Sequence, residues 1–98
     1  MDKEAVLERL RAHEAELKAM GVARLSLFGS VARGEAGEGS DVDLAVELDH
    51  ARRLDLLDFA QINLRLNDLL GAKVDLISEP VRRPDFQADI DRDRVHAF

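Results

Sequence analysis

Apolar residues recur along the chain first with the period of a helix and then with the period of a strand, and the pattern repeats. Between Asp2 and Met20 there is no Gly or Pro, and Val6, Leu10, His13, Leu17 and Met20 are spaced by three and four. That spacing predicts one amphipathic helix, with Asp2 and Glu4 at its positive end, Gly21 as a C-cap and His13 at the edge of the core. Ala23 to Phe28 then sets Ala23, Leu25 and Leu27 against Arg24, Ser26 and Phe28, a period of two that predicts a strand.

The second cycle begins after a loop. Asp41 to Leu48 places Val42, Leu44, Val46 and Leu48 on one face and Asp41, Asp43, Ala45 and Glu47 on the other. Leu54 to Leu70 reads as a long helix with Leu56, Phe59, Ile62, Leu66 and Leu69 or Leu70 buried, Asp55 as N-cap and Gly71 as C-cap. Lys73 to Ser78 is a third short strand, and a strand, helix and strand in this order make a right-handed parallel crossover. Laid beside the second strand, it would turn Asp75 to the same side as Asp41 and Asp43. The expected fold is therefore α/β (α+β), a single domain with a short mixed sheet of about three strands flanked by helices. Its core spans about residues 2–78, and a tail at 79–98 follows. In that tail Pro84 precedes a weakly amphipathic helix through Phe86 and Ile90. Charge and proline make it the segment expected to be loosely held or held by a partner.

Composition narrows the classes. Ninety-eight residues hold one core, and twenty acidic against fourteen basic residues give a net charge of -6, which disfavours direct nucleic-acid binding. There is no cysteine for a disulfide or a thiolate metal site. No apolar run approaches the roughly 20 residues that span a bilayer, and the first residues lack a signal-peptide core, so a cytoplasmic protein without membrane contact is expected.

The chemistry concentrates between the first two strands, in Gly29-Ser30-Val31-Ala32-Arg33-Gly34, a glycine-rich loop from Glu35 to Ser40, and Asp41-Val42-Asp43-Leu44. A Walker A loop fails because Glu35 stands where its lysine belongs, and an EF-hand fails because Ala45 and Val46 replace a ligand and a glycine. Two aspartates on one face of a strand lie about 6.6 Å apart along the chain and can converge on one metal.

Gly29-Ser30, Arg33-Gly34 and Ser40-Asp41-Val42-Asp43-Leu44, with Asp75 in the third strand, together resemble the minimal nucleotidyltransferase (MNT) branch of the DNA polymerase beta-like superfamily. The resemblance runs from about Asp2 to Ser78. It implies that Gly29 and Ser30 hold the triphosphate of ATP, that Asp41, Asp43 and Asp75 are catalytic, and that Asp41 and Asp43 hold magnesium while Asp75 completes a second metal position or accepts the proton of the attacking hydroxyl, with two ions expected. Arg33 would touch phosphates or stabilise charge on departing pyrophosphate, or pair with Glu35 or an active-site aspartate, and Ser40 would cap the strand or support a metal ligand. The resemblance further implies AMP transfer to an acceptor hydroxyl, with a tyrosine of a HEPN-domain toxin as acceptor and this chain as the antitoxin. A binding-only antitoxin with a vestigial nucleotide site is the alternative. A two-metal nuclease is a weaker third reading, since the charge disfavours nucleic acid and no histidine lies near the acids in sequence.

Overall fold

The computed structural model describes residues 2–37 and 39–98. Met1, and Glu38 within the expected Glu35 to Ser40 loop, lie outside the described residues. The elements run α1 (Lys3–Ala12), α2 (Glu14–Ala19), β1 (Val22–Phe28), α3 (Gly29–Ala32), β2 (Val42–Leu48), α4 (Leu56–Leu70), β3 (Val74–Ser78), α5 (Pro84–Asp93) and β4 (Val95–His96). The sheet order is β3-β2-β1-β4, with β2 and β3 parallel and β1 antiparallel to both β2 and β4. It is the expected mixed sheet, with four strands in place of about three.

One face of the sheet carries Leu25, Leu27, Val42, Leu44, Val46, Val74 and Leu76. These pack with Val6, Leu7 and Leu10 of α1, Leu17 of α2, and Ile62, Leu66 and Leu70 of α4. The single N-terminal helix expected from the spacing is two: Asp2 caps α1 by accepting from Ala5 N, and the helix breaks at His13 before resuming at Glu14. His13 sits partly buried at that break, its Nδ1 2.9 Å from Arg9 O. Asp55 and Asp58 form a reciprocal capping box at the start of α4, and Gly71 ends it with φ of 60°. Leu56, expected in the buried stripe, is 82% exposed. Leu54 turns inward instead, its Cδ1 2.7 Å from where a Cβ on Gly21 would stand.

β1 also departs from simple alternation. Val22 pairs with Leu48 and Arg24 with Glu47, so Ala23 is an extra residue in a bulge and is exposed, not on the apolar face with Leu25 and Leu27. Downstream of the bulge both faces of the strand are buried. The second face of the sheet packs Phe28 and Ala45 against Ile90, with Ile77, Val81 and Phe86 around them, and the Phe28 and Phe86 rings meet edge to face at 6.2 Å.

The tail is thus not loose. Its helix α5 lies across the second face through Ile90, and β4 adds a strand to β1 by pairing His96 with Ser26 and Val95 with Leu27. Arg11 of α1 donates to the carbonyls of His96 and Ala97, each at 2.9 Å. No helix among the described residues is long and apolar enough to cross a membrane.

Candidate active site

β1 ends in Phe28 and runs directly into Gly29, where the chain must change direction against β2. Gly29 has φ of +74°, and a Cβ on it would lie 2.2 Å from Asp43 Oδ2. The left-handed conformation alone costs an L-residue about 1–2 kcal/mol, and here there is also no room for the atom. Only glycine lets the backbone of this turn approach the carboxylate. Ser30 follows, partly buried, in the short helix α3, and its carbonyl accepts from Glu35 N at 2.9 Å.

Strand register places the acids. Asp43 is opposite Phe28 on β1 and opposite Asp75 on parallel β3, so the two aspartates share one face, and Asp41 stands just before the start of β2. Asp43 is partly buried and Asp41 and Asp75 are exposed. Burial pushes the Asp43 carboxyl above its ordinary value, the charges of Asp75 and then Asp41 push it further, and the charge of Arg33 opposes them. The Asp41 carboxylate lies 3.8 Å from Lys73 Nζ.

The donor set is all carboxylate oxygen, as a hard divalent cation requires. Among the described residues no three His, Cys, Asp or Glu side chains converge closely enough to cage an ion by themselves. Magnesium does not require such a cage: it takes one or two carboxylates and completes its shell with phosphate oxygens and water. Asp41 and Asp43 fit that arrangement, and the repulsion felt by Asp43 is what a cation would relieve.

Arg33 bonds none of the site's three aspartates. Its Nε donates to Glu35 Oε2 at 2.9 Å, the pairing its neighbour suggested, and its Nη1 donates to Asp93 Oδ2 at 2.7 Å. Asp93, at the end of α5, was not singled out by sequence reasoning. It belongs to a charge-dense tail sixty residues from Arg33, and only the docking of α5 brings the two together. Arg33, then Arg92, holds the Asp93 carboxyl below its usual range. Lys73, read only as the start of a strand, is likewise brought beside Asp41 by the pairing of β3 with β2. Ser40 is exposed, with its amide donating to Gly37 O at 3.2 Å, and it borders a recess of about 300 Å³ with Lys73, Gly71 and Val42.

A cavity of about 420 Å³ opens elsewhere on the acid-bearing face, between Arg24, Ser26, Glu47, Glu79, Arg94 and His96. Its charges are largely spoken for: Arg94 binds Glu79, Asp91 and the Ser26 hydroxyl, and Gln87 also donates to Glu79. The acids at the end of the sheet differ from these: neither Asp43 nor Asp75 has an ion-pair partner among the described residues, and Asp43 lies against the Gly29 turn.

The chain is similar in sequence and fold to known proteins. A family model described as "Nucleotidyltransferase domain" matches residues 9–95, which takes in most of the tail. A protein adenylyltransferase, MntA, from Thermococcus cleftensis is 44% identical over 69 residues, covering 69% of this chain and 68% of its own. A solved structure provisionally assigned as a minimal nucleotidyltransferase superposes with a TM-score of 0.80 at 40% identity, covering 97% of this chain and 95% of that one. The fold is also shared, at TM-score 0.65 and 18% identity, with a chain in the structure of a tri-AMPylated Shewanella oneidensis HEPN toxin in complex with MNT antitoxin, covering 94% of this chain and 71% of that one.

Proposed function

The chain belongs to the nucleotidyltransferase domain family, and from that premise we propose that it transfers AMP from ATP to a tyrosine hydroxyl of a partner HEPN-domain toxin, acting as the antitoxin of the pair. The observation that carries the reading is Asp43, held between the Gly29 turn and Asp75 with its charge unmet. The name of the Thermococcus relative and the AMPylated toxin seen with an MNT antitoxin support the acceptor class. A net charge of -6 is suited to covering a basic partner and not to binding nucleic acid directly. A cytoplasmic location goes with this reading, where ATP and a newly made partner are both present.

The reading assigns each residue a role. Gly29 admits the triphosphate to the turn, Ser30 donates to it, and Arg33 faces the charge that develops on the departing pyrophosphate. Asp41 and Asp43 would hold magnesium, and Ser40 would support the start of that strand. When bound, the cation supplies Lewis-acid stabilisation of the phosphate oxygens. Asp75, exposed at the sheet's edge strand, accepts the proton of the acceptor hydroxyl. The hydroxyl oxygen forms a bond to the alpha-phosphorus, the bond from that phosphorus to the oxygen bridging to the beta-phosphate breaks, and pyrophosphate leaves.

Incubation of the chain with magnesium, a HEPN-domain protein co-expressed with it and ATP labelled in either the alpha- or the gamma-phosphate tests this. Label is expected on the partner from the alpha position only. Label from the gamma position would mean a kinase. No label from either, with a stable complex, would favour the binding-only antitoxin.

A further inference from the structure

The tail reaches the site through one contact. Asp93 is acidic yet its side chain is only 8% exposed, and its Oδ2 lies 2.7 Å from Arg33 Nη1. Glu35, at 2.9 Å, takes Nε of the same guanidinium. A guanidinium is a planar fork of five N–H donors, so two acceptors on different nitrogens fix its plane. Nη2 takes part in neither bond. The Arg33 amide donates to Gly29 O at 3.1 Å, so the fixed guanidinium springs from the turn that faces Asp43, whose raised carboxyl its charge opposes.

We propose that Asp93 is a positioning residue for the nucleotide: from the end of α5 its carboxylate fixes Arg33 so that the Nη2 donors meet the triphosphate at the Gly29–Ser30 turn. The proposal rests on the nucleotidyltransferase reading of the site. It makes α5, and with it the segment expected to be a loose tail, part of the nucleotide site. An Arg held at two points loses less side-chain freedom when phosphate arrives than one that must be ordered at that moment.

The test is calorimetric binding of magnesium-ATP to the full-length chain, with thermal melting and AMP transfer to the partner measured in parallel. Asp93→Asn is expected to raise the ATP Kd about tenfold with a smaller change in kcat, as loss of an oriented charge-assisted contact does. Asp93→Glu, which keeps the carboxylate, should recover part of that loss. In an Arg33→Lys background, Asp93→Asn should change the Kd by less than about twofold, because its effect passes through the guanidinium fork.

Unchanged or tighter ATP binding in Asp93→Asn overturns the proposal, tighter binding meaning that the ion pair holds Arg33 away from the nucleotide. An equal loss in the Arg33→Lys background, accompanied by a lower Tm, also overturns it and reduces Asp93 to an anchor for α5. Wild-type chain that binds ATP but labels no partner would overturn the adenylyltransferase reading and leave Asp93 to be judged on binding. Wild-type chain that binds no magnesium-ATP overturns both.

Discussion

If Asp43 holds the metal as proposed, it is the residue at which function and stability conflict. Its raised pKa means that ionising it costs the folded state free energy. That cost is absent at low pH, where the carboxyl is protonated in both states, and is present in full once the pH exceeds the folded value. Asp43→Asn should therefore abolish AMP transfer while raising the metal-free Tm by about 2–4 °C, the shift that roughly 0.5 kcal/mol gives a chain of this size. Melting curves at neutral pH without magnesium check this, and a lower Tm for the variant would show that the carboxylate is satisfied as it stands. Gly29→Ala should cost about 2 kcal/mol or more, because a left-handed alanine would also drive its Cβ into Asp43 Oδ2, a separation of 2.2 Å. Denaturant unfolding measures it. These two residues were legible in the sequence, as Asp-x-Asp on an alternating strand and as a glycine at a strand end. The bond from Arg33 to Asp93 was not, since nothing local links residues on different elements sixty positions apart.

At the scale of elements, the helix α5 and strand β4 are what sequence reasoning undervalued. Periodicity found the helix from Pro84 through Ile90, but two strand residues at Val95–His96 are too few to alternate, so the fourth strand left no pattern. What secures them is a polar network that composition presents only as surface charge. Arg94 donates to both Glu79 oxygens and to Ser26, whose side chain is buried. The bonds from Arg94, then Gln87, hold Glu79 below its ordinary 4.5 against the effect of burial. A lowered carboxyl contributes stability above its unfolded pKa and loses it as the pH falls through the folded value. Acid titration should accordingly destabilise the wild type below about pH 4.5, and Glu79→Gln should flatten that slope while costing on the order of 2 kcal/mol at pH 7. Equal acid slopes for the two proteins would remove Glu79 from the explanation. Ile90 is fully buried between Phe28 and Ala45, and Ile90→Ala should cost about 2–4 kcal/mol by urea unfolding. The bulge at Ala23 and the outward Leu56 were misplaced for a related reason: each lies where an element begins, and there neighbouring segments override the period.

For the whole molecule, one sheet separates two tasks. The face of Leu25, Leu44 and Leu76 is closed by α1, α2 and α4 and supplies the core. The opposite face carries Asp43 and Asp75 at one end and is covered by α5 toward its middle, so the acids stand at the border of a packed surface and an open one. The crossover from β2 through α4 to β3 makes that pairing of aspartates legible in the order of elements alone, because a parallel neighbour in register turns its residues to the same side. The intact mass of the HEPN partner after co-expression, with wild-type chain and with Asp43→Asn, tests the assignment most directly. An adenylyltransferase antitoxin predicts that the partner gains one or more AMP masses with the wild type and none with the variant. A partner that stays unmodified in both cases and still co-purifies with both would contradict catalysis and leave a protein that neutralises by binding.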